Sequence, residues 1–456
     1  MATSEALVKY YDCLRDSFNK IQEKDNKTAL VNAALRPKIC EEFEKSEQVL
    51  DSYLNYLQVF LLIYSEKFTN ISTSVICPLF KEHAPKKFAP TKEQSDEPVE
   101  DDHIADKVQK TMQEIFRSKP ELADEYSLCL VKFFPIVQQD DSRYFLTYLG
   151  NCLESCAYLK SESLVNIVTK ILDRVNPPIE PDDEEKMTVI QKTVDDSFEF
   201  IYSRLDTLHD QVQLENFASA ILTAFTREFL ATNYQDQLNY LLLYICFLDI
   251  KLTDQFINLL WAAFTSPDRR PEERQASICL ASSFMSRASY VDIDQVFNYL
   301  ETASAWCMEF LDKADAKSDQ QTLDCNETIE SFHALVQSMF YLITQRYREM
   351  YEEESIKRLR QMNLDSILNS RFRPFENCNP EVEQRFREIV ALYQITNLQI
   401  VDRRTPAKKR RKSDNDYKNR SLWKAPYPEF CDKLPDRIKP LYRAYYDHRN
   451  FTVYRD

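Results

Sequence analysis

The chain has 456 residues, a formal net charge of −15 and a single glycine, Gly150. Without glycines to supply positive-φ turns and close backbone approaches, a glycine-rich phosphate cradle is excluded and a hairpin-rich β-fold is disfavoured. The acidic balance excludes nucleic-acid binding by the chain as a whole, because phosphate is repelled on average, and the length exceeds what one compact core holds.

The N-terminus, Met1 to Cys13, lacks the basic start and long apolar run of a signal peptide. The most apolar stretches, Tyr53–Tyr64 and Leu238–Ile250, are interrupted by polar residues and are too short to cross a bilayer. A soluble, intracellular protein with no membrane partner is expected. Twelve cysteines are scattered with no CxxC pair, and Cys152 and Cys156 are the one close pair, at helical spacing. They read as small buried apolar residues in a reducing compartment. The five histidines (His83, His103, His209, His333, His448) do not complete a zinc site. No metal and no cofactor are expected.

Residues 86–103 and 176–186 carry prolines and dense acidic residues, and read as solvated acidic loops. Between the second loop and the middle of the chain lies Asp195-Asp196-Ser197-Phe198-Glu199. Three carboxylates at this spacing on a helix are able to hold magnesium, the basis of an alternative reading as a helical magnesium-dependent enzyme. No second acidic cluster stands out to face it. An exposed helix face, with Asp195 near its N-terminal end, is the ordinary explanation.

Helical periodicity recurs almost throughout and is clearest over residues 292–312. Leu238, Leu241, Leu242, Ile245 and Leu248 line one helix. Thr253 is expected to cap the next, through Phe256, Leu259, Leu260 and Phe264, stopped by Pro267. Pro271 suits the first turn of a helix over 271–288, with Ala276, Cys279, Leu280, Ser283 and Phe284 facing inward. Asp292 and Gln295 form a capping-box pattern at the head of a helix over 292–312. Short turns between these helices predict antiparallel hairpins. The fold class is therefore all-α, a HEAT-like α-solenoid with repeats of ~40–47 residues, favoured over an irregular bundle because one core does not absorb so many helices. The expected organisation is a helical array over 1–401, a basic loop over 402–426 and an irregular aromatic C-terminal cap over 427–456 that packs on the last repeats. His333, beside the apolar face of a helix through Ile329, Phe332, Val336 and Phe340, reads as a structural histidine, not a catalytic one.

Five consecutive cations, Lys408, Lys409, Arg410, Arg411 and Lys412, repel one another and require exposure. An import receptor reads a nuclear address in this form, and the same residues suit phosphate contact. Candidate phosphorylation sites are Thr405 before Pro406, Ser266 before Pro267, and Ser95 and Ser413 with acidic residues following them. A phosphate of about −2 charge beside the basic run would weaken its pairing with acidic receptor pockets.

Arg274, Gln275, Ala276, Ser283, Phe284, Arg287, Ala288 and Tyr290, with Trp261 before them, together resemble the core pattern of the RNA polymerase I-specific transcription initiation factor family. Phe134-Pro135 upstream and Ile438, Pro440, Leu441 and Tyr442 downstream resemble further family elements, in the same order along most of the chain. Ser277 and Ser289 depart from the family pattern, and the sequence stops soon after the closing segment, so regulation through a longer tail is not carried over. The resemblance implies a HEAT-repeat, non-enzymatic adaptor in the nucleus and nucleolus. It implies binding near the stalk of RNA polymerase I, bridging to promoter-bound core factors at ribosomal DNA, control by phosphorylation, and a homodimer of the free protein. Arg274 and Arg287 are the candidate polymerase or weak DNA contacts in the matched block, the alternative being packing between helices. Another nuclear helical scaffold or transport adaptor is the competing binding-protein reading.

Overall fold

The computed structural model describes residues 4–17, 30, 33–34, 46–85, 104–137, 141–159, 161–177, 184–232, 236–316, 326–396 and 434–443. Among these the fold is all-α, as expected. The basic run at 408–412, Thr405, Ser413, Ser95 and the acidic residues of 86–103 lie outside the described residues. No described helix is long and apolar enough to cross a membrane.

The chain divides into two compact units, Met1–Phe225 and Thr226–Asp456. In the first, α1 (Ser4–Ser17) packs on α2 (Glu47–Ile63), where the buried Tyr11 ring meets Tyr53 edge-on at 5.4 Å. Next come the short α3 (Phe68–Ile71), a π-helical turn (Ser72–Ile76) and α4 (Cys77–Glu82). They are followed by α5 (Ile104–Ser118), α6 (Leu122–Phe133), α7 (Ser142–Ser155), α8 (Ser161–Arg174) and α9 (Glu184–Thr207). The contacts pair α6 with α8 and α7 with α9, while α4 leans on α7. Helix α10 (Gln211–Glu228) carries the chain across the boundary between units.

A neutral polar network is buried in the first unit. The Asn151 amide donates to the carbonyls of Phe80 (3.3 Å), His83 (2.8 Å) and Thr147 (3.1 Å), tying the end of α4 to α7. Gln109 of α5 donates to the Asn151 carbonyl at 2.9 Å, and its own oxygen accepts from Ser155 and Tyr158. Each buried amide thus finds partners, which removes the penalty of leaving it unpaired. Gly150 is buried within α7 and not at a turn.

The second unit contains α11 (Asp236–Leu248), α12 (Ile250–Thr265), α13 (Pro271–Arg287), α14 (Ile293–Ala316), α15 (Asn326–Arg346), α16 (Glu353–Gln361), α17 (Leu364–Leu368) and α18 (Pro380–Tyr393). Several boundaries follow from capping chemistry. Pro271 occupies the first turn of α13. Asp292 accepts from the Gln295 amide at 2.7 Å, and the Gln295 side chain accepts from the Asp292 amide at 3.2 Å, a reciprocal capping box. The expected Thr253 cap is corrected. Asp249 caps α12 by accepting from the Lys251 amide at 2.9 Å, while Thr253 is buried and donates to the Cys246 carbonyl at 2.8 Å, locking α12 to α11.

Among the described residues three non-glycine positions hold the left-handed conformation, Asn363 (φ 52°), Arg373 (φ 48°) and Gln394 (φ 50°). Asn363 precedes α17, and Gln394 closes α18 with its amide bonded to the Val390 carbonyl.

Candidate functional site: an interior helix and its arginine node

Helix α13 carries six of the nine residues of the core family-like pattern: Arg274, Gln275, Ala276, Ser283, Phe284 and Arg287. Gln275 and every residue from Ser277 to Arg287 are buried. The inner face expected from periodicity is present, with Phe284 edge-on to Phe256 of α12 at 5.2 Å. The opposite face is buried as well, because α13 packs on both α12 and α15. Serines make this possible. Ser277, Ser282 and Ser286 are small, and each hydroxyl donates to a carbonyl one turn back, which satisfies it without a partner helix.

Arg287 is 1% exposed, and its Nη2 donates to the Tyr341 hydroxyl at 3.1 Å and to Gln345 Oε1 at 3.3 Å on α15. The expectation that Arg287 touches a polymerase or DNA is therefore corrected: the guanidinium is enclosed between helices and is not available to an outside partner. Arg274 is half-buried. Its Nε donates to the Phe264 carbonyl at 2.7 Å, and its guanidinium lies 5.7 Å from the Phe264 ring centroid, closing the α12–α13 turn. Tyr290 donates to the Leu243 carbonyl at 2.6 Å, and Trp261 meets Tyr299 edge-on at 6.0 Å. Upstream, the buried Phe134 ends α6 and packs on Phe145 and Tyr148. The matched residues thus build scaffold.

A second arginine completes the node. The Arg346 side chain at the end of α15 is wholly buried. It donates to the carbonyls of Met285 (2.6 Å) and Val291 (2.9 Å) and grips Glu349 in a fork at 2.7 and 2.8 Å. A guanidinium presents its donors in a rigid plane, which suits it to hold two carbonyls and a carboxylate at once. Periodicity did not single out Arg346. The local signal is its position at the end of a strongly apolar helix with Glu349 three residues on.

The C-terminal stretch closes onto this node. Residues 434–443 dock at the end of α13 through an isolated β-bridge between Ala288 and Tyr442. The Ser289 amide donates to Leu441 at 2.9 Å, the Arg443 amide donates to Arg287 at 2.6 Å, and the Ser289 hydroxyl donates to Pro440 at 3.1 Å. Arg443 also pairs with Glu349. Arg437 donates to the Tyr244 hydroxyl of α11 at 3.3 Å. The ground for this clip is α11, the end of α13 and the turn at Tyr347–Glu349.

No acid-base or nucleophilic constellation forms around these groups. His333 donates its Nε2–H to the Phe372 carbonyl at 2.9 Å, and burial holds its pKa below the ordinary 6.5 against the opposing effect of that bond. It joins α15 to the segment before Phe375, the structural part expected of it. Burial pushes the thiols of Cys77, Cys156 and Cys279 up to about 12, which leaves them unreactive. Burial works to raise the pKa of Glu273, but hydrogen bonds from Arg270 and Arg269 outweigh it and hold this carboxyl below its usual range. Asp195 sits in the middle of the long α9, not near its start; it and Glu199 are exposed, and Asp196 is half-buried. Asp195 accepts from Gln191 at 3.0 Å. Among the described residues no three carboxylate, histidine or cysteine groups converge in a metal-binding cluster. Ser266 is half-buried at the C-cap of α12, just before Pro267, and its amide donates to the Ala262 carbonyl at 3.0 Å.

Comparison with known proteins agrees with this architecture. The sequence profile of the family described as "RNA polymerase I specific transcription initiation factor RRN3" matches residues 1–176 and 178–422. The RNA polymerase I-specific transcription initiation factor RRN3 of Mus musculus is 21% identical over 179 residues, which is 38% of this chain and 27% of that protein. The factor tif-1A of Caenorhabditis elegans is 22% identical over 185 residues, 40% of this chain and 28% of that protein. The rrn3 factor of Schizosaccharomyces pombe is 21% identical over 225 residues, 47% of this chain and 37% of that protein. The matched stretches thus span well under half the length of these curated relatives. A crystal structure of RNA polymerase I transcription initiation factor Rrn3 superimposes with a TM-score of 0.67 at 17% identity, covering 97% of this chain and 90% of that one. That likeness is one of fold.

Proposed function

Since the chain belongs to the RNA polymerase I specific transcription initiation factor RRN3 family, a family of initiation factors and not of enzymes, we propose that it binds RNA polymerase I and joins it to promoter-bound core factors at ribosomal DNA. The observation that carries this reading is the family match along both units of the chain. The buried scaffold supports it in a second way. Helices whose matched residues are spent on packing leave long outer faces for macromolecular contact, the usual working surface of stacked helical hairpins.

In this reading the polymerase is engaged near its stalk, and the free protein self-associates. Arg274, half-exposed at the α12–α13 turn, is the candidate polymerase or DNA contact left in the matched block. The run Lys408–Lys412 directs the protein to the nucleus and on to the nucleolus, and phosphorylation at Ser95, Ser266, Thr405 or Ser413 adjusts binding through added negative charge. Affinity purification of the tagged chain from nuclear extract tests the core of the proposal. Recovery of RNA polymerase I over polymerases II and III is the expected result; equal recovery of all three, or of none, removes it. Replacing Lys408–Lys412 with alanine is expected to abolish nuclear accumulation, and unchanged accumulation refutes the address.

A further inference from the structure

The turn between α11 and α12 leaves two large apolar side chains in solvent, Phe247 (49% exposed) and Ile250 (53% exposed). They are three residues apart across a one-residue link. Their backbone is rigid: Asp249 caps α12, Thr253 ties α12 to α11, and Phe247 rests at 5.6 Å on Tyr290, itself bonded to the Leu243 carbonyl. A protein that buries its other large residues here so thoroughly does not expose an adjacent aromatic and aliphatic pair without consequence, since such pairs mark interaction surfaces.

Beyond the pair, α12 carries a groove. Ile250, Asp254 and Asn258 share one face of α12 by their spacing, and Lys251, Asp254, Gln255, Asn258 and Leu259 line a shallow cavity of about 510 Å³ along it. The rim is acidic. Gln295 donates to Asp254 at 2.8 Å, which brings the head of α14, with exposed Asp292 and Asp294, beside the groove. Asp249, the N-cap of α12, adds a fourth carboxylate near Lys251. Asp294 is partly offset by Arg358 at 2.9 Å.

We propose that this edge, Phe247 and Ile250 with the α12 groove, docks a segment of RNA polymerase I that carries a bulky apolar side chain flanked by lysine or arginine. The identity of the partner rests on the function proposed above; its chemistry rests on the rim. An apolar anchor fills the exposed pair and supplies affinity, as buried central anchors do. Flanking cations meet Asp254, Asp292 and Asp249, steering encounter and setting register. A hydrophobic segment with acidic flanks would be repelled, as would nucleic acid.

The test places a photocrosslinking amino acid at Asn258 of the full chain and irradiates it with purified RNA polymerase I. The expected product is a crosslink to one polymerase peptide with an apolar residue between lysines or arginines. Phe247→Glu and Ile250→Glu should each weaken polymerase binding by about tenfold and remove the crosslink, with helical content and hydrogen exchange of α13 unchanged; because Phe247 also rests on Tyr290, Ile250→Glu is the cleaner of the two. Asp254→Lys should slow association, and the difference should fade as salt rises. Polymerase binding without a crosslink, a crosslinked peptide lacking basic residues, or a crosslink to a second copy of this chain would each overturn the proposal while leaving the function standing. Failure of the unsubstituted chain to bind polymerase would remove both.

Discussion

In the first unit the buried network that joins α4, α5 and α7 is neutral: Gln109, Asn151, Ser155 and Tyr158 share amide and hydroxyl bonds, while the buried Arg204 pairs separately with Glu154 at 3.3 Å. In the second the node between α13 and α15 is charged: Arg287 and Arg346 are enclosed there, with Glu349 as carboxylate partner to Arg346 and Arg443. A neutral network joins helices that are already in place and is indifferent to pH. A charged node can also recruit a distant piece of chain, since one carboxylate holds two guanidiniums and draws residues 434–443 to the end of α13. The contrast shows two routes to the same end, fixing helices whose contact faces are otherwise apolar.

Substitutions separate the two. Arg346→Met should have the largest effect, about 3–5 kcal/mol, because it strands the Met285 and Val291 carbonyls and leaves Glu349 with less compensation; urea unfolding checks it, and a loss under 1 kcal/mol would mean the node contributes little. Asn151→Ala in the neutral network should lose about 2 kcal/mol, since three carbonyls lose a donor at once; the same measurement ranks it against Arg346. Arg443→Ala should lose about 1 kcal/mol and speed hydrogen exchange at the Ser289 amide, which donates to Leu441. An unchanged exchange rate would show that the clip holds without its ion pair. Asp292→Ala, which breaks the capping box outside both networks, should lose about 1 kcal/mol and serves as the reference for a purely local change.

The smallest effect is one of pH. The pKa of His333 is lower folded than unfolded, so its contribution to stability is complete above the ordinary 6.5 and is lost as pH falls toward the folded value. His333→Gln should flatten the stability profile as pH falls below the ordinary 6.5, and an NMR titration of the His333 ring at or above 6.5 would contradict the sign. Glu273 has the same sense at lower pH. Its pairs with Arg269 and Arg270 stabilise above the ordinary carboxylate value and fail as pH falls through its lowered one.

Caps and helix order were legible because they are local. Pro271, Asp292 and Gln295 act within one turn, and the hairpins from Leu238 to Leu311 appear where their periodicity places them. The all-round burial of α13 was not, since a serine-rich helix looks half-polar until two neighbours cover it. Arg287 carried a family-like signal but no sign of whether it faces outward or inward; that depends on Tyr341 and Gln345, more than fifty residues away. Thr253 was mistaken for a cap because its hydroxyl suits that position equally well, and Asp249 competes for it more strongly through the Lys251 amide. The exposed Phe247 and Ile250 were hidden within an apolar run that reads as core from end to end.

The scarcity of glycine leaves a trace in the backbone. Asn363, Arg373 and Gln394 adopt the mirror-image helical twist that side chains with a Cβ resist, at roughly 1 kcal/mol or more each. Each is therefore a dormant opportunity for thermal hardening: Gln394→Gly and Arg373→Gly relieve the crowding without touching the interior. A composition that shuns the smallest residue has left its loops slightly wound against their springs.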